Sequence, residues 1–103
     1  MTEPVANAVF LRSRAGKEEG LAGRLEALVL ASRPDSGVMI YDLHRSTADS
    51  ASWFLYERYE SREHFNRHRE NPVLGRFVAD AATLLAGKLD VRTFRVITDL
   101  HGA

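Results

Sequence analysis

Five polar side chains stand inside otherwise apolar runs of this sequence: Asn7, Asp42, His44, Glu57 and Arg95. Burying such groups is costly unless each finds a partner. Their placement therefore marks either a structural pair or a site. Glu57 lies among Trp53, Phe54, Leu55, Tyr56 and Tyr59. It reads equally well as a structural ion pair with Arg95, Arg45 or Arg92, or as a carboxyl group in a pocket. His68 follows Phe65 by three residues and His64 by four. The His64–His68 spacing can hold a metal on a helix. No acidic third ligand stands at a characteristic distance and no H-E-x-x-H is present, so no metal site is expected. His68 is read instead as a pocket acid, base or hydrogen-bond donor, since an imidazole titrates near working pH. His44 is the second histidine of this kind. His101 falls in a terminal tail that is expected to face solvent.

The aromatic set around these groups is expected to be mostly core. Some of its members would line a flat apolar cavity between a sheet and its helices. No phosphate loop, dinucleotide fingerprint or nucleophile elbow is present, so no cofactor follows from the sequence. The absence of cysteine excludes disulfides, thiolate nucleophiles and cysteine metal sites.

The elements that must position these residues follow from periodicity. Val5 to Arg12 is apolar on both parities, as in a central strand. Lys17 to Ser32 carries Leu21, Leu25, Leu28 and Val29 on one helical face. Pro34-Asp35-Ser36-Gly37 is a turn. Val38 to Arg45 and Trp53 to Glu60 are strands joined by a polar hairpin loop. Ser61 caps a short helix running to about Arg69. Asn71-Pro72 starts a second helix, which Gly87 ends. Val91 to Thr98 is the last strand, and 99–103 a tail.

The order β-α-β-β-α-β predicts an α+β, ferredoxin-like domain with a four-stranded antiparallel sheet. Right-handed crossovers place the helices on one face. The length of 103 residues suits one domain spanning 1–103. The second, third and fourth strands are apolar on both parities, so the open sheet face calls for a cover. A two-fold homodimer packed sheet to sheet supplies one.

The 14 Lys and Arg residues balance 14 Asp and Glu. No basic excess awaits a phosphate backbone, so no nucleic-acid partner is expected. No apolar run nears the roughly 20 residues that cross a bilayer, and the N-terminus does not read as a signal peptide. A cytoplasmic protein is expected.

Four blocks carry a resemblance. Ala15-Gly16-Lys17-Glu18-Glu19 resembles a "PGKE" entry to the first helix. Ser32-Arg33-Pro34-Asp35-Ser36-Gly37 followed by Tyr41-Asp42-Leu43-His44-Arg45 resembles "S-R-x-E-P-G-x-x-x-Y-D-L-H-R". Phe54 to Ser61 resembles "F-x-x-Y-E-x-W-x-S", and Phe65 to Pro72 resembles "F-x-x-H-x-x-x-P". In this order they are similar to the antibiotic biosynthesis monooxygenase family. The resemblance implies a dimeric α/β barrel with a pocket between sheet and helices. It further implies oxidation of a small aromatic phenol or quinol by O₂ without metal or flavin. Tyr59 stands where that family usually has Trp, and Val73 where many members carry a second His. With His68 near the place of a required Trp and no histidine on the long helix, haem degradation is not expected.

Carried over residue by residue, Glu57, His68 and His44 are the expected catalytic residues. Asn7 and Tyr59 are expected hydrogen-bonders to substrate, with Trp53 and Phe65 as walls. Two other functions use the same groups. One is a non-catalytic dimer that binds a small apolar molecule. The other is an isomerase acting on a small carbonyl metabolite.

Overall fold

The four segments rich in β-branched and aromatic residues are strands in the structure, a computed structural model that describes residues 3–98. In chain order the elements are β1 (Val5–Arg12), α1 (Glu18–Ser32), β2 (Val38–Arg45), β3 (Ser52–Tyr59), α2 (Arg62–His68), α3 (Pro72–Leu84) and β4 (Asp90–Arg95). The strands form one antiparallel sheet ordered β2-β3-β1-β4. This is the ferredoxin-like α+β arrangement, and β1 is central.

Period-two alternation decides which side chains meet the helices. Along β3, Trp53, Leu55, Glu57 and Tyr59 are buried while the residues between them are only half-buried. Trp53 and Leu55 pack with Val9 and Leu11 of β1 against Leu21, Leu25, Leu28 and Val29 of α1 and Phe77 of α3. On the opposite face Phe10 is 41% exposed and Phe94 53%. The phenyl rings of Phe10 and Phe54 stack there, 5.2 Å apart.

Helix starts follow local chemistry. The Ser61 hydroxyl accepts from the His64 amide at 3.3 Å, capping α2. The Asn71 side chain accepts from the Val73 amide at 2.9 Å, capping α3 ahead of Pro72. Lys17 gives α1 no side-chain cap, and Glu18 and Glu19 sit in its first turn, where the helix dipole favours them.

Gly37, in the turn just before β2, has φ +79°, and a Cβ there would run into the His64 ring. Only glycine allows β2 and α2 to approach so closely.

Two boundaries differ from the sequence reading. The helix α3 ends at Leu84 rather than near Gly87, because Leu85 turns extended (φ −103°, ψ 143°) and bridges to Ser13. Leu85 is buried there, and its apolar side chain is better placed in the core than on a helix facing solvent. The strand β4 stops at Arg95, short of Thr98. The expected tail at 99–103, with His101, lies outside the described residues. Among the described residues no helix is long and apolar enough to cross a membrane.

Candidate active site

Register builds a polar row across the helix-facing side of the sheet. Thr93 pairs with Asn7, Asn7 with Glu57, and Glu57 with Tyr41, so all four strands contribute one residue. The row is hydrogen-bonded in sequence. The Thr93 hydroxyl donates to Asn7 Oδ1 at 2.8 Å. Asn7 Nδ2 donates to Glu57 Oε1 at 3.4 Å. The Tyr59 hydroxyl, two residues along β3, donates to the same Glu57 oxygen at 2.6 Å.

Burial pushes the Glu57 carboxyl above the usual carboxylate range. The hydrogen bonds from Tyr59, Asn7 and Tyr41 and the nearby His68 oppose that shift without cancelling it. Burial and the facing Glu57 charge push both Tyr41 and Tyr59 well above the usual phenol range. Both hydroxyls are therefore permanent donors at working pH.

A second polar group descends from α2. His68 is 2% exposed, and its ring lies against Tyr41 and Tyr59 at 5.2 and 5.6 Å. Its Nδ1 is 3.0 Å from Asp35 Oδ2. The same oxygen accepts from Asn71 Nδ2 at 2.9 Å, and Asn71 also donates to the Ala31 carbonyl at 3.1 Å. One asparagine thus ties the end of α1, the turn and the start of α3 around Asp35. Burial works to raise the Asp35 carboxyl. The hydrogen bonds from Asn71 and His68, with the His68 charge, outweigh it and hold Asp35 below the usual range. With Nδ1 paired to a carboxylate, the favoured neutral tautomer carries its proton on Nδ1 and its lone pair on Nε2. Nε2 is buried and has no hydrogen-bond partner among the described residues.

Between row and helices lies a cavity of about 310 Å³. Its floor is Asn7, Val9, Leu11, Tyr41, Leu55 and Glu57 of the sheet. Leu28, Phe65, His68, Leu74 and Phe77 roof it, and Arg69, Val78, Leu89 and Val91 complete the lining. A volume near the lower end of ligand pockets suits a small ring system. The arrangement sets an imidazole nitrogen at His68 Nε2 and a carboxyl at Glu57 beside a largely apolar lining.

Residues 4–80 match the profile of the antibiotic biosynthesis monooxygenase family. The chain belongs to that family. Rv0793 of Mycobacterium tuberculosis, named as a candidate monooxygenase, is 34% identical over 85 residues, covering 82% of this chain and 83% of that one. Its solved structure superposes with a TM-score of 0.88 at 27% identity over 94% of this chain and 98% of the other. PA3566 from Pseudomonas aeruginosa gives the same score at 26% identity, over 95% and 98%. Family and relative together support a monooxygenase-type function.

In this family member the fold gathers Asn7, Glu57, Phe65 and His68 around one cavity, with Tyr59 hydrogen-bonded behind Glu57. Two other expected site residues lie elsewhere. His44 falls on the open sheet face, because β2 pairs it with Phe54, against which its ring stacks at 5.1 Å. Trp53 faces the helices two residues beyond Leu55, at the end of the sheet away from Glu57. Arg45 covers its ring at 4.4 Å. Both line a separate depression with Phe10 and Phe54.

Where one of the two readings of Glu57 gave it an arginine, Tyr59 and Asn7 hydrogen-bond it instead. Arg45 pairs with Glu19 and Arg92 with Asp90. His64 and His68 turn apart, His64 Nδ1 to the Ser61 hydroxyl at 2.7 Å and His68 to Asp35.

Sequence reasoning missed Asp35, Asn71, Tyr41 and Arg69 as members of the site. Asp35 was absorbed into a turn signal and Asn71 into a helix cap. Both do those jobs and also reach His68. A carboxylate in a turn 33 residues before a candidate base carries no local signature.

Proposed function

We propose that this protein uses O₂ to oxidise a small phenol or quinol held in the cavity between sheet and helices. It would act as a homodimer joined through its open sheet faces, with no metal or organic cofactor in the reaction. The observation that carries the reading is the buried, unpartnered His68 Nε2, aligned by Asp35 beside an apolar cavity. Family membership supports it.

The chemistry needs little from the protein. The substrate hydroxyl gives its proton to His68 Nε2. The resulting phenolate is electron-rich and passes an electron to O₂. Recombination forms a carbon–oxygen bond at the ring, and the peroxide O–O bond then breaks. One oxygen atom stays on the ring as a quinone oxygen. The other leaves as water, carrying the proton His68 returns and the hydrogen lost from the ring carbon. The substrate is the reductant and O₂ the oxidant. Glu57 lies on the cavity floor as a hydrogen-bond partner for the substrate oxygen. The apolar lining keeps water from the intermediates.

Supplying ¹⁸O₂ with a panel of hydroxynaphthalenes and anthrone-like compounds tests this reading. One labelled oxygen per turnover is expected in the product. Product formed without O₂ uptake, or carrying oxygen only from water, rejects it. Solvent deuterium incorporated without O₂ uptake would indicate an isomerase instead.

The homodimer rests on Phe10, Phe54 and Phe94. A second copy of the same face covers all three rings in one step.

A further inference from the structure

The cavity lining carries four ionisable side chains, of which Tyr41 holds its proton at working pH. Glu57 lies on the floor, His68 in the roof, and Arg69 at the rim. Arg69 is exposed and closes α2 as its C-cap. Its guanidinium lies over the Phe65 ring at 5.7 Å, and Phe65 in turn tilts against Tyr59 at 5.2 Å. The guanidinium is thus placed on an aromatic wall of the cavity. Arg12, Arg24, Arg33, Arg45 and Arg92 each pair with a carboxylate of this chain. Arg69 has no ion pair among the described residues, and it is the lining residue with a permanent positive charge.

We propose that the ligand is an aromatic acid, whose carboxylate meets Arg69 at the mouth while its hydroxyl reaches His68 inside. This deepens the proposed function and rests on it. A guanidinium presents a planar fork of donors that matches a carboxylate. The cavity offers that carboxylate no second cation among its lining residues, so Arg69 sets both its position and the orientation of the ring. A neutral phenol of the same skeleton fills the same apolar space without that anchor.

Calorimetric titration of the full chain at neutral pH with 2-naphthol, 2-naphthoate and 6-hydroxy-2-naphthoate tests the assignment. The hydroxy acid should bind roughly fivefold more tightly than 2-naphthol, near the upper end for a partly exposed charge pair. The preference should shrink in 1 M salt, where the screening length falls to about 3 Å. Arg69→Gln should abolish the preference for the hydroxy acid over 2-naphthol, and Arg69→Lys should keep part of it. Because Arg69 is exposed, neither variant threatens the fold. Equal affinity for the hydroxy acid and 2-naphthol, or a preference that survives Arg69→Gln, overturns this assignment alone. Failure of all three probes to bind overturns the cavity reading and this assignment with it.

Discussion

At the scale of single residues, the site divides its two titratable groups by their surroundings. Asp35 aligns His68, and two buried hydroxyl and amide donors hold Glu57. Glu57 is raised in the folded chain, so its contribution to stability is full below its ordinary value of 4.5 and is lost as pH rises through the folded value. Glu57→Gln should therefore raise the melting temperature relative to the parent. The gain should be small at pH 4 and larger at pH 7, as followed by circular dichroism. Asp35 has the opposite sign. Its lowered value contributes stability above its ordinary 3.8 that is lost on acidification. Asp35→Asn should destabilise the chain at neutrality, and the gap to the parent should close as pH falls below about 4. The same variant should lower turnover while leaving the apolar walls intact. Its imidazole ¹⁵N shifts should show Nε2 gaining proton occupancy. Unchanged shifts would mean that Asp35 does not set the tautomer.

At the scale of elements, two connections place His68. The Ser61 cap starts α2, and the glycine turn lets β2 pass under His64. Gly37→Ala adds both a strained φ and a collision with the His64 ring. A loss of about 2 kcal/mol or more is expected from chemical denaturation, whereas Ser61→Ala should cost about 1 kcal/mol. A Gly37→Ala variant as stable as the parent would show that the close approach is not tight. These elements were largely legible in the sequence. Caps, turns and alternation are local signals, and they placed β1, β2 and both caps. Glu57, Asn7 and Phe65 were legible as polar or aromatic residues in a patterned strand or helix. The Asp35–Asn71–His68 cluster was not, because its members come from a turn and two helix ends. His44 misled for a related reason. A motif match fixes position along the chain but not the side a residue faces, and one step along a strand reverses the face. The bulge between Val38 and Ile40 in β2 further weakens any reading of parity from sequence alone.

At the scale of the whole molecule, the helices cover one face of the sheet and leave Phe10 and Phe94 on the other. A monomer carrying such a face would be poorly protected from self-association, particularly with balanced charge. Light scattering should give twice the chain mass at micromolar concentration, and Phe94→Asp should shift the species toward one chain. A monomeric parent would contradict the dimer while leaving the cavity chemistry intact, since every cavity residue named above comes from one chain. The central claim is that His68 is the base of an oxygen-consuming site. The most direct test is the kcat/KM for O₂ uptake with a hydroxynaphthalene substrate, compared between the parent and His68→Gln. A loss of roughly 10² to 10⁴-fold is expected, with the fold unchanged by circular dichroism. Equal rates in the two proteins would contradict that claim.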